Sequence, residues 1–78
     1  MRNKAPALVI SFTNVTEALA VEKFCQEQGL PGRIIPVPRE ITAGCGLAWK
    51  AAPEQRESLL EAFSRNGLLY SGDYIVNI

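Results

Sequence analysis

The hydrophobic pattern changes period several times along the chain, and each change predicts an element. The run Ala7-Leu8-Val9-Ile10-Ser11-Phe12, bounded by Pro6 and by Thr13-Asn14, is short and holds the β-branched Val9 and Ile10. It predicts a buried strand. From Asn14 onward the apolar positions Ala18, Val21, Phe24 and Cys25 recur at helical spacing, and Asn14 followed three residues later by Glu17 is a capping-box pattern. Gly29 stops this helix, with Leu30 placed for the hydrophobic contact that accompanies a glycine-ended helix. Arg33 to Val37 predicts a second strand, closed by Pro36 and Pro38 because proline cannot donate to a central ladder.

A third strand is expected from Cys45 or Gly46 to Ala51, with Leu47 and Trp49 on one face. Pro53 opens a second helix from its first-turn position, where a missing N–H costs nothing. Leu59, Leu60 and Phe63 form its buried stripe, Glu61 and Arg65 pair across one turn, and Asn66-Gly67 ends it. The tail Leu68 to Ile78 is strand-like, and its interruption at Ser71-Gly72-Asp73 reads as a bulge, with Asp73 a turn residue. Trp49, Tyr70 and Tyr74 all fall in strands and read as core or dimer surface. The order strand, helix, strand, strand, helix, strand predicts an α+β fold of the ferredoxin-like βαββαβ kind. Its four-stranded antiparallel sheet is ordered 4-1-3-2, with two helices on one face. A chain of 78 residues has room for one domain, residues 1–78.

Composition narrows the function. Eight Lys plus Arg balance eight Asp plus Glu, so the long-range field that draws proteins to phosphate backbones or anionic lipid is missing. Nucleic acid and membrane are not expected partners. The apolar stretch after the basic start, Ala7 to Ile10, is too short for a signal-peptide core, which predicts a cytoplasmic protein with free thiols. There is no histidine. Ser-His-Asp and Cys-His pairs therefore cannot form within one chain, and two thiolates fall short of the four ligands of structural zinc. Neither an enzyme, a metal site nor a cofactor is implied.

The remaining chemistry lies in Thr42-Ala43-Gly44-Cys45-Gly46. In a βαββαβ fold this loop meets the end of the first strand and the start of the first helix. Cys45 would then face Thr13-Asn14 and Asn66-Gly67, where helix N–H groups favour a thiolate, a persulfide or an anion. Gly44 and Gly46 leave the sulfur unshielded, and Arg39 in the same loop adds a positive charge. The alternative is that Cys45 is a small half-buried hydrophobe that begins a strand. Cys25 lies on the apolar stripe of the first helix and is expected in the core. It sits about three turns from the helix start, on the order of 16 Å, whereas bridged Cα atoms lie within about 7 Å of each other. A Cys25–Cys45 disulfide is not expected.

The segment Ile34-Ile35-Pro36-Val37-Pro38-Arg39-Glu40-Ile41-Thr42, followed by Cys45-Gly46-Leu47, resembles a bacterial family of short proteins described as selenium or sulfur carrier-like. The likeness extends to Phe12, to Ala18 with Glu22-Lys23, and to the closing stretch Tyr70 to Tyr74. Thr42 matches the small hydroxyl residues that precede the family's cysteine, while Ala43 and Gly44 depart from them. The resemblance implies a thiol at Cys45 that accepts, holds and passes on sulfur or selenium. Its partners would be a donor such as a cysteine desulfurase and an acceptor protein. Two other readings stand beside it: a non-covalent interaction or assembly module, including a homodimer, and a small-ligand sensor that uses the Arg39 edge as an anion pocket.

Overall fold

The computed structural model describes residues 5–41 and 45–78. Thr42, Ala43 and Gly44 of the predicted loop lie outside the described residues. The strands are β1 (Pro6–Ser11), β2 (Arg33–Pro36), β3 (Leu47–Ala51) and β4 (Gly72–Asn77), and the helices α1 (Val15–Gln28) and α2 (Arg56–Arg65). All strand pairs are antiparallel, in the order β2-β3-β1-β4. This is the expected 4-1-3-2 order read from the other edge.

Alternation along β1 divides the protein into two faces. Leu8, Ile10 and Phe12 join Ala18, Val21 and Cys25 of α1 and Leu59 and Phe63 of α2 in one buried cluster that also holds Trp49. Both helices therefore cover the same face. Val9 and Ala48 project from the other face, where Ile41 packs on them with Ile35, Val37, Val76 and Ile78 around. The connection between β2 and β3 thus folds back over the helix-free face, which is why Val9 and Ala48 are sealed from water.

Local chemistry sets the helix ends. Asn14 Oδ1 accepts from the Glu17 amide at 2.9 Å, and the Glu17 carboxylate accepts from the Thr13 amide at 2.8 Å. This is a reciprocal capping box. Gly29, in the left-handed conformation, ends α1. The Pro53 expectation needs refinement: residues Pro53–Gln55 form a single 3-10 turn, and α2 proper begins at Arg56.

The tail departs further from expectation. It is not one bulged strand over Leu68 to Ile78, because β4 begins only at Gly72. Leu68 and Tyr70 turn inward against the helix-face core instead, with Tyr70 edge-on to Phe63 at a ring separation of 6.1 Å. Tyr70 is consequently not a strand residue. Asp73 is not a turn residue either: it pairs with Ile10 in the ladder, and its carboxylate accepts from Arg56 at 2.7 Å. Among the described residues no helix is long and apolar enough to cross a membrane.

Candidate functional site

The ladder between β2 and β3 extends one step into the connection, where the Val37 amide donates to the Gly46 carbonyl at 2.9 Å. On the other side the Cys45 amide donates to the Phe12 carbonyl at 3.1 Å. These two bonds hold Cys45 at the end of the sheet where β1 stops and α1 starts. Its side chain packs partly against the helix-face core and is half-buried. Gly46 follows with φ of 90°, a conformation L side chains rarely adopt, and a Cβ there would meet nothing within 4 Å. Glycine is thus favoured at 46 by the backbone conformation.

Thr13 and Asn14 lie at the same end, one and two residues beyond the carbonyl that holds Cys45. The Thr13 amide and the Asn14 side-chain oxygen are already engaged in the capping box, however, and that box sets the Glu17 carboxylate at the start of α1. The positive end of the helix dipole is therefore met first by Glu17. Its negative charge opposes a second anion there.

Arg39 is placed differently. It sits in the exposed turn that the Ile41 amide closes onto the Pro38 carbonyl at 2.9 Å, and the flanking Val37 and Ile41 both pack on the helix-free face. Cys45 packs on the helix side. The residues that flank Arg39 thus pack on the face opposite to the one Cys45 packs against. Gly44 lies outside the described residues.

The second thiol shows what burial does. Cys25 has no exposed surface, and desolvation pushes its thiol up to about 11 from an ordinary value of 9.0. It stays protonated and enclosed near neutral pH, so it behaves as a small core hydrophobe. Both cysteines are free. Among the described residues no three His, Cys, Asp or Glu side chains gather as a metal ion would need.

Sequence reasoning passed over Glu17 as a determinant of the site's charge, although the Asn14–Glu17 spacing announces the capping box that places it. It also passed over Ile41. An isolated isoleucine in a polar loop has no periodicity to mark it, and only the folded connection reveals its place on Val9.

Residues 7–75 match a protein-family model described as "Putative Se/S carrier protein-like". Comparison with curated proteins and with solved structures gives no match.

Proposed function

The chain belongs to the family described as "Putative Se/S carrier protein-like", and on that premise we propose that Cys45 is a carrier thiol for sulfur or selenium in bacterial chalcogen metabolism. The observation that carries this reading is the contrast between the two cysteines. Cys25 is sealed in the core, whereas Cys45 is only half-buried, at the end of the sheet. A thiol that must meet two partners in turn needs such access.

The step is a sulfane transfer. The Cys45 thiolate attacks the outer sulfur of a donor persulfide, a new S–S bond forms at Cys45, and the donor's S–S bond breaks. The donor leaves as a thiolate, the Cys45 proton passes to solvent, and no external oxidant is consumed. Selenium follows the same course when the outer atom of the donor is selenium. On this reading the protein acts as a carrier rather than an enzyme, since a chain with no histidine cannot form a Cys-His pair by itself. A cysteine desulfurase suits the role of donor, an acceptor protein completes the relay, and the cytoplasm provides the reducing setting.

The test is to incubate the protein with a cysteine desulfurase and cysteine, then weigh it intact. Wild type and Cys25→Ala should gain sulfur, and Cys45→Ser should gain none. Equal gain by Cys45→Ser would refute the proposal.

One observation favours a second reading, an assembly module. β4 is an edge strand with Tyr74 39% and Ile75 51% exposed, whereas the other edge, β2, is shorter and carries Arg33 and Pro36. Lysine, arginine and proline protect sheet edges from pairing, and β4 has none of them. On this reading two copies join along β4, and sedimentation should show a dimer that Ile75→Lys dissociates. A monomer at all accessible concentrations would dismiss it.

A further inference from the structure

A second site lies at the opposite end of the sheet from Cys45. The starts of β1 and β2 and the end of β3 surround an open cavity of about 500 Å³, within the range that holds small ligands. Arg33 and Lys50 line it, and they are register partners on adjacent strands. Their Cβ atoms therefore stand about 5 Å apart on the same face. Among the described residues neither closes an ion pair, with the terminal carboxylate of Ile78 or with any acidic side chain, and no acidic side chain lines the cavity. Two like charges directly opposite each other destabilise a sheet. An anion between them removes that repulsion.

The other lining side chains are apolar, Pro6, Ala7, Ala51, Pro53 and Ile78 among them. One wall is also fixed in place. The Trp49 indole donates to the Pro31 carbonyl at 3.1 Å, and a Cβ on Gly32 would run into that indole and the Lys50 carbonyl. The chain leading into Arg33 is thus held against β3. We propose that this cavity binds a small organic anion, a carboxylate on a short apolar chain. Arg33 and Lys50 hold the carboxylate, and the proline and alanine walls cover the chain. The site is independent of the thiol and of any sulfur transfer.

The experiment is an amide-resolved NMR titration of the full chain with hexanoate, with hexanamide as its neutral analogue, and with inorganic phosphate. Hexanoate should give saturable shifts at Gly32, Arg33, Lys50 and Ala51, in wild type and in Cys45→Ser alike. Hexanamide and phosphate should each bind more weakly, the first for lack of charge and the second for lack of an apolar chain. Arg33→Gln and Lys50→Gln should each weaken hexanoate roughly threefold, and the double variant roughly tenfold. The double variant's spectrum away from the cavity serves as the check that it folds. No saturable shift, equal affinity for hexanamide or for phosphate, or unchanged affinity in a folded double variant would overturn the proposal.

Discussion

Cys25 and Cys45 sit against the same hydrophobic cluster, yet one is enclosed and the other only half-buried. Cys25 is enclosed by a helix, the sheet and their side chains, so its sulfur contributes volume and its ionisation is suppressed. Cys45 touches that cluster from the end of the sheet, where its own amide is bonded to the Phe12 carbonyl and the next residue, Gly46, accepts from the Val37 amide. A core position and a rim position thus differ less in what they touch than in how many sides are covered. On the function proposed above, that difference separates a structural thiol from a carrier thiol.

The largest expected consequence is kinetic. Alkylation of Cys25 requires opening of the core, whereas Cys45 needs at most a local opening of the loop. With a domain stability of about 5 kcal/mol, Cys45 should react roughly a thousandfold faster or more, read by mass after timed quenching. Comparable rates would erase the contrast. Stability should follow the same division: Leu59→Ala, in the core beside Cys25, should cost about 3 kcal/mol in denaturant unfolding, while Cys45→Ser should stay within about 0.5 kcal/mol.

The helix start shows how much of this was legible beforehand. Asn14, Glu17 and Gly29 act through neighbours three or four residues away, so the sequence pattern reveals their roles directly. The same holds for the Leu59 and Phe63 stripe and for Leu47 and Trp49 on one face. What escaped was long-range. Tyr70 leaves the strand because Phe63 offers it an edge-on partner, and Asp73 is claimed by Arg56 seventeen positions away. For Arg39 the sequence leaves open an anion contact or a solvated loop charge, and what it does not show is that the flanking Val37 and Ile41 pack on the helix-free face. The cavity between Arg33 and Lys50 depends on strand register, which no local pattern states.

Protonation offers a further way to sharpen the contrast. The Cys25 thiol titrates near 9.0 when exposed and near about 11 when folded. Below pH 9 both states keep the proton, so the group's contribution is fully present. As pH rises from about 9 to about 11 the unfolded chain releases its proton first, and stability falls, by at most about 2.7 kcal/mol in total. Urea unfolding across this range should show a steeper decline for wild type than for Cys25→Val, and a matching decline in both would place the ionising group elsewhere. A smaller effect is expected at the helix start. Asn14→Ala, which removes the side-chain cap of α1, should cost about 1 kcal/mol by the same measurement.

The central claim is that Cys45 alone carries the transferable atom. Its most direct test is the intact mass of the protein after exposure to a cysteine desulfurase and cysteine, followed by peptide mapping of the product. The account predicts one added sulfur, located on the peptide that contains Cys45, and none on Cys45→Ser. Sulfur found on Cys25, or no added mass on folded wild type, would contradict it.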